Sequence, residues 1–219
     1  MLVTGLLACG GGGPDPAPEP EAPIPTELTS TPESIAKGKE LFETRCHSCH
    51  GIDGMGKMGL GPAVASETFL AAATDKMLLT TVAVGRPGTT MIPWKSSMKP
   101  EEIQAVVAYL RSMTPHEPAK LDESPLRGDL ETGEGIYRTI CGACHGSSGA
   151  GYSEAGAGTG IGRKAFLDTV TDGYIRYLVN HGKSGTQMRP FQLKASTAVA
   201  NLSQEEIDSV IEYLRKNAW

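Results

Sequence analysis

Two short segments of the chain combine thiols and imidazoles at a spacing that can attach a porphyrin. CHSCH occupies residues 46–50, and CGACH occupies residues 141–145. In a C-x-x-C-H pattern the thiols can form thioethers with the two vinyl groups of one haem, and the histidine then lies under the iron. The sequence therefore predicts two covalently bound haem c groups. The predicted attachment residues and proximal iron ligands are Cys46, Cys49 and His50 in the first copy, and Cys141, Cys144 and His145 in the second.

Zinc and a redox dithiol are the competing interpretations of these segments. Structural zinc takes four ligands, usually from separated pairs, and no second pair of cysteines or histidines complements either segment. A thioredoxin-like dithiol needs a βαβ context, which the sequence does not indicate. His47 stands at a variable position, because the second copy has Gly142 there. The five cysteines thus divide into two haem pairs and Cys9, and thioether attachment occurs outside the cytoplasmic membrane.

An internal repeat predicts the domain organisation. GKELFETRCHSCHG (38–51) aligns with GEGIYRTICGACHG (133–146), VGRPGTTMIPW (84–94) with HGKSGTQMRPF (181–191), and PEEIQAVVAYLR (100–111) with QEEIDSVIEYLR (204–215). Apolar residues in the last pair recur at helical spacing, and no segment alternates like a strand. We predict an all-α fold of two tandem homologous domains, at 33–113 and 129–219, joined by a Pro-bearing acidic linker at 114–128. The second terminal helix begins with an S-x-x-E capping box.

A methionine in the middle aligned segment of each copy can supply the sixth iron ligand. Met91 and Met188 occupy equivalent positions, 41 and 43 residues beyond the histidine of their copy, and each is followed one residue later by proline. That distance along the chain is long enough to reach the opposite haem face. Other methionines of the first copy, among them Met55, Met58, Met77 and Met98, have no counterpart in the second. We therefore predict Met91 and Met188 as the axial ligands opposite the histidines.

The N-terminal 32 residues predict an anchor and a tether. The segment ending at Cys9 (LLAC) resembles a bacterial lipobox, so residues 1–9 are interpreted as a signal remnant with an acylated cysteine. Residues 10–32 are rich in Pro, Gly and Glu and have little to bury, which predicts a disordered tether. The expected location is the periplasmic or extracytoplasmic side of a bacterial membrane, with the lipid bilayer contacted through Cys9.

The charge distribution excludes nucleic acid as a partner. The formal net charge is −5, of which residues 1–32 carry −4 and residues 113–132 carry −3, so the remaining segments carry about +1 each. No basic stripe is present, whereas nucleic-acid binding needs one. The linker charges predict a solvated connector.

Over residues 33–219 the chain resembles the two-domain dihaem class I c-type cytochromes. The resemblance is carried by C-x-x-C-H-G in both copies, the glycine and aromatic residue that precede it, the Met-x-Pro-aromatic loop and the terminal helix with its tyrosine. It implies that the first and last helices of each domain cross where the glycine and aromatic residue meet that tyrosine. The implied contacts are Gly38 and Phe42 with Tyr109, and Gly133 and Tyr137 with Tyr213.

The resemblance also implies a partner for the proximal histidine. In this family a proline carbonyl accepts the hydrogen bond of the histidine Nδ1–H, and Pro62 matches that proline in the first copy. The second copy has GAGTGIGRK at this place, without proline, so the equivalent partner stays open.

An iron with both axial positions filled exchanges single electrons and has no position for a substrate. The resemblance thus implies a membrane-tethered electron-transfer cytochrome and no catalysis of its own. It would work between a membrane-bound respiratory or photosynthetic complex and an acceptor such as a terminal oxidase. A fixed subunit of such a complex, or of a cytochrome polymer, is the alternative. Dihaem peroxidases and thiosulfate-oxidising enzymes share the two motifs, but they usually leave one haem with an open or unusual ligand.

Overall fold

The computed structural model describes residues 23–198 and 200–219, so Cys9 and most of the predicted tether lie outside the described residues. Within these ranges the regular structure is helical, apart from two isolated bridges. The α-helices are α1 Pro32–Arg45, α2 His47–His50, α3 Glu67–Ala72, α4 Asp75–Val84, α5 Pro100–Met113, α6 Leu130–Ile136, α7 Gly142–His145, α8 Lys164–Leu167, α9 Asp172–His181 and α10 Gln204–Lys216. A π-helical turn spans Tyr137–Cys141, and a 3₁₀ turn spans Gly151–Glu154. The all-α prediction is confirmed.

The first and last helices of each domain cross at a glycine, as the family resemblance implies. A Cβ on Gly38 would overlap the carbonyl of Ala105 in α5, and the rings of Phe42 and Tyr109 lie 5.6 Å apart beside the crossing. Glycine is required there because the two backbones approach too closely for any side chain. The close packing of α5 against α1 thus covers one side of the core of the first domain.

The second domain repeats this crossing between α6 and α10. A Cβ on Gly133 would overlap the carbonyl of Ser209, and the rings of Tyr137 and Tyr213 lie 5.3 Å apart. At the start of α10, Ser203 and Glu206 accept each other's backbone N–H groups, which confirms the predicted capping box.

An arginine on the last helix of each domain fixes the segment between the two shorter helices. Arg111 donates to Asp75 at 2.8 Å and to the carbonyls of Leu70 and Ala73 at 2.5 and 2.6 Å. Arg215 makes the equivalent bonds in the second domain, to Asp172 at 2.8 Å and to the carbonyls of Leu167 and Val170. In the first domain these bonds hold the end of α3 and the start of α4 against α5. In the second domain they hold the end of α8 and the start of α9 against α10.

The linker is mostly exposed, as its charge indicates, but it is anchored to the second domain. Glu123 accepts from the Gly173 N–H at 3.0 Å and from the Thr171 hydroxyl at 2.5 Å, at the start of α9. Arg176 and Asp208 form a buried ion pair at 2.8 Å, and Asp208 also accepts from the backbone N–H of linker residue Arg127 at 3.1 Å. The later part of the connector therefore follows the surface of the second domain, whereas the Ala119 N–H donates to the Ala71 carbonyl of the first domain at 2.8 Å.

The two domains meet at a junction formed by α3 and the loop after α4 in one domain, and by α8, α9 and the following loop in the other. The Ser66 and Ser184 hydroxyl oxygens lie 3.1 Å apart, and the Ser184 N–H donates to the Thr68 hydroxyl at 2.9 Å. These contacts tie the first turn of α3 to the loop that follows α9.

The junction has an approximate two-fold symmetry, because equivalent residues cross it in both directions. The Arg86 guanidinium lies 5.4 Å from the ring centre of Phe166, and the Lys183 ammonium lies 4.5 Å from that of Phe69. Arg86 aligns with Lys183 in the repeat, and Phe69 aligns with Phe166, each with an offset of 97. The same face of each copy is therefore used on both sides, as in an isologous dimer interface.

Candidate haem sites

Each C-x-x-C-H motif forms one short helical turn directly after the first helix of its domain. In the first domain Cys46 ends α1, and its carbonyl accepts the N–H groups of Cys49 at 3.2 Å and His50 at 3.0 Å. The turn stops at Gly51, whose φ of 76° is a conformation that glycine adopts without strain. The two thiols and the imidazole are thereby fixed relative to one another by main-chain hydrogen bonds.

The second motif is reached through a different backbone path. The π-helical turn at Tyr137–Cys141 leads into α7, which carries Cys144 and His145 and stops at Gly146 with a φ of 81°. Single π-helical turns within helices frequently occur at functional sites. Burial raises the pKa of the Cys46 and Cys141 thiols to about 11 each, so neither has the lowered pKa of a reactive redox thiol.

Both proximal histidines have one ring nitrogen occupied by a backbone carbonyl. His50 Nδ1 lies 2.9 Å from the Pro62 carbonyl oxygen, and His145 Nδ1 lies 2.7 Å from that of Thr159. An Nδ1–H that donates there leaves the Nε2 lone pair free for a metal. Burial lowers the pKa of both histidines, so the neutral form that can ligate iron is favoured. Thr159 thus supplies the partner that the sequence of the second copy left open.

The loops that carry these carbonyls pack tightly against the motifs. A Cβ on Gly61 would come within 2.8 Å of the Cys49 carbonyl oxygen, and a Cβ on Gly158 would come within 2.8 Å of His145 Nδ1. Glycine at both places lets the loop approach the motif closely enough to form the histidine hydrogen bond.

The loops that carry Met91 and Met188 have the same hydrogen bonds in both domains. The Met91 carbonyl accepts from the Arg86 N–H at 2.8 Å, and the Met188 carbonyl accepts from the Lys183 N–H at 2.7 Å. The methionine N–H groups donate to Thr89 at 3.1 Å and to Thr186 at 3.2 Å. Met91 and Met188 therefore occupy the same place in one loop structure that the chain forms twice.

A cavity of about 250 Å³, here called the central cleft, lies at the first motif and opens onto the domain junction. Its first-domain lining includes Cys46, Cys49, His50, Pro62 and Met91, and its apolar wall includes Phe42, Phe69, Leu78 and Val82. Two thiols, one imidazole and one thioether around an apolar cleft form the donor set that a covalently attached haem with histidine and methionine ligation requires. The residues present therefore fit haem c.

The lining of the central cleft also includes residues that the sequence analysis did not identify as site residues, most of them from the second domain. Among them are Thr159, Phe166 and two cations of the second domain, Arg163 and Lys183, together with the cation Arg86 of the first domain. Burial lowers the pKa of the Lys183 ammonium to about 8, and burial likewise lowers the pKa of Arg86. Only the equivalence of Arg86 and Lys183 in the repeat could have pointed to them in advance.

Comparison with known proteins places both domains in one class. The Cytochrome c family matches residues 35–114, and the family of cytochrome c oxidase, cbb3-type, subunit III matches residues 128–214. The cbb3-type cytochrome c oxidase subunit CcoP of Rubrivivax gelatinosus is 27% identical over 190 residues, which are 85% of this chain and 56% of that protein. Cytochrome c55X of Stutzerimonas stutzeri is 36% identical over 89 residues, 40% of this chain and 76% of that protein.

A solved structure supports the fold. A reducing HAO-like protein complex of Kuenenia stuttgartiensis superposes with a TM-score of 0.50 at 22% identity, covering 90% of this chain and 100% of the other. The chain spans about half the length of the cbb3-type relatives it matches. It belongs to the c-type cytochromes, as a dihaem member with two cytochrome c domains and two covalently bound haem c groups. Among the described residues, no helix has the length and apolar character needed to span a membrane.

Proposed function

We propose that this chain is a dihaem electron-transfer cytochrome that relays single electrons and catalyses no reaction of its own. The observation that carries the proposal is the methionine loop, which the chain builds twice with the same hydrogen bonds. Haem c, when bound, supplies a one-electron iron couple whose potential depends on its axial ligands and their surroundings. Within this proposal His50 and His145 are the proximal ligands, and Met91 and Met188 fill the opposite positions.

The protein side chains then hold the cofactors and set their electronic surroundings. Cys46 and Cys49, and Cys141 and Cys144, provide the thioether attachment. The Pro62 and Thr159 carbonyls fix the ring orientation of the two histidines and raise their basicity as ligands. Methionine as the other ligand favours the reduced iron relative to a second histidine. With both axial positions filled by the protein, neither site has room for a substrate.

Carbon monoxide binding tests the ligand assignment. The reduced wild-type protein should bind no carbon monoxide at neutral pH, whereas Met91→Ala and Met188→Ala should each bind one molecule per chain. Met58→Ala is the matched control, because the Met58 side chain is 68% exposed, and it should behave like the wild type. Stoichiometric binding of carbon monoxide by the wild type would contradict the proposal and favour a catalytic haem, as in peroxidases or thiosulfate-oxidising enzymes.

For the partner, we propose a membrane-bound respiratory complex of the terminal oxidase class. The relatives named as cbb3-type oxidase subunits support this choice, and they also favour a resident subunit over a free carrier. A haem-stained native gel of mildly solubilised membranes distinguishes these two. A band that migrates with a much larger complex indicates a resident subunit, and a band near the mass of the chain indicates a tethered shuttle or an isolated protein.

The proposed location is the extracytoplasmic face of the membrane, with Cys9 acylated. Its test is the partition of wild type and Cys9→Ser between membrane and soluble fractions. Release of the variant alone supports the lipid anchor, and equal partition of both proteins contradicts it.

A further inference from the structure

The central cleft is lined by cations without any acidic partner. Arg86, Arg163 and Lys183 all line it, and among the residues that the structure describes no Asp or Glu does so. No carboxylate in the described ranges lies within 4.0 Å of any of these three cations. By contrast, the buried Arg176 elsewhere in the second domain has the Asp208 carboxylate at 2.8 Å.

The two cations of the repeat are satisfied only by neutral groups. The Arg86 guanidinium donates to the Ala165 carbonyl at 3.1 Å and to the hydroxyls of Thr81 and Thr169, and it stacks on Phe166. The Lys183 ammonium faces the ring of Phe69 at 4.5 Å. Taking a charge out of water is costly unless an opposite charge lies nearby, so this arrangement favours the binding of an anion.

Arg86 and Lys183 also hold the same position relative to the two iron sites. Each stands five residues before the methionine of its domain, and its N–H bonds the carbonyl of that methionine. Each side chain crosses the junction and reaches the aromatic residue on the short helix of the opposite domain. A positive charge has therefore been kept at both copies of one position, as arginine in the first and as lysine in the second.

We propose that Arg86 and Lys183 are positioning residues that bind the carboxylate side chains of the haem groups from across the domain junction. The inference rests on the proposed function, because it requires haem in the sites described above. Each domain then contributes a charge to the haem surroundings of the other, and neither haem site is complete in a single domain. A cation near the haem destabilises the oxidised, more positive iron, so its removal lowers the midpoint potential.

The test measures both midpoint potentials of the purified dihaem protein by spectroelectrochemical titration. In Lys183→Met and Arg86→Met the charge is removed while an unbranched apolar side chain is retained. Each substitution should shift the reduction equilibrium of at least one haem tenfold or more towards the oxidised form. For a one-electron couple this lowers the midpoint potential by about 59 mV. In Lys183→Arg both reduction equilibrium constants should stay within about threefold of those of the wild type. The control is Lys76→Met, an exposed lysine on α4, which should change neither equilibrium more than about twofold.

Redox-difference infrared spectra give a readout that simple packing would not change. Removal of either cation should shift the haem carboxylate bands, and the arginine variant of Lys183 should shift them back. Potentials and bands that match those of Lys76→Met in both methionine variants would overturn the proposal. Haem stoichiometry and carbon monoxide binding of the wild type test the proposed function separately. This inference alone is refuted if the wild type holds two haems and binds no carbon monoxide but neither substitution changes the midpoint potentials.

Discussion

The ion pair between Arg176 and Asp208 should dominate the stability of the second domain. Arg176 is 3% exposed and Asp208 is 7% exposed, and their atoms lie 2.8 Å apart. Asp208 uses its other oxygen to accept the Arg127 N–H at 3.1 Å. In Asp208→Asn one of these two donors must face an NH₂ group instead of an oxygen, and the guanidinium keeps only the more distant and largely exposed carboxylate of Asp122, at 3.9 Å.

The expected cost follows from burial. Removal of one member of a buried ion pair typically costs about 3–5 kcal/mol, because the remaining charge stays without a partner. The pair of Lys164 and Asp168 has the same separation of 2.8 Å, but its side chains are 68% and 58% exposed. An exposed pair contributes about 0–1 kcal/mol, so Asp168→Asn is a control matched in distance and in the substitution made. We expect Asp208→Asn to lower the free energy of unfolding by about 3 kcal/mol or more, and Asp168→Asn by less than about 1 kcal/mol.

Urea unfolding of the holoprotein, followed by tryptophan fluorescence, measures the difference. The chain has two tryptophans, Trp94 in the first domain and Trp219 in the second. The second copy has phenylalanine where the first has Trp94, so Trp94→Phe is a conservative background in which Trp219 alone reports the second domain. Equal losses of stability in Asp208→Asn and Asp168→Asn would refute the reasoning, since the buried carboxylate should then contribute no more than the exposed one.

Two further substitutions test the helix crossing and the anchored linker. Gly133→Ala should destabilise the protein by about 1–3 kcal/mol in urea unfolding, because its methyl group would overlap the Ser209 carbonyl. Gly135→Ala, two residues along α6 and in open space, should stabilise by about 0.5–1 kcal/mol, and a loss of stability in both variants would contradict the crossing. Glu123→Ala removes the carboxylate at the start of α9 and should cost about 1 kcal/mol while making the linker more sensitive to limited proteolysis. The exposed Glu117→Ala should leave the cleavage rate unchanged, and equal cleavage of both variants would argue against the anchor.

The features that occur in both copies of the repeat were the ones that could be predicted best from the sequence. The long helices could be predicted from apolar spacing, and the helix crossings were implied by the family resemblance that the recurring glycine and aromatic residue help to carry. Helices α3 and α8 were not predicted, because six and four residues are too few to show a period. The partner of His145 could not be identified either, since a backbone carbonyl belongs to every residue and Thr159 carries no distinguishing side chain.

Contacts between the domains were beyond sequence analysis for a different reason. Arg86 and Lys183 differ in residue type, and their aromatic partners lie about 80 and 114 residues away along the chain. The linker composition correctly indicated exposure, but it could not show that Glu123 binds the start of α9. Long-range pairing of this kind depends on how two finished domains fit together, which no local pattern records.

The symmetry of the junction has a consequence for how this molecule can change. In a homodimer every substitution appears on both sides of the axis, so the two halves cannot diverge. Here the two halves are one chain, and each side accepts its own substitution. Three differences between the domains could not exist in a dimer of identical subunits. Pro62 is replaced by Thr159, Arg86 is replaced by Lys183, and the Arg176–Asp208 ion pair has Leu79 and Gln104 at its equivalent positions in the first domain. Because the two domains belong to one chain, the surroundings of each redox centre can change by substitution independently, while the two domains keep a common interface.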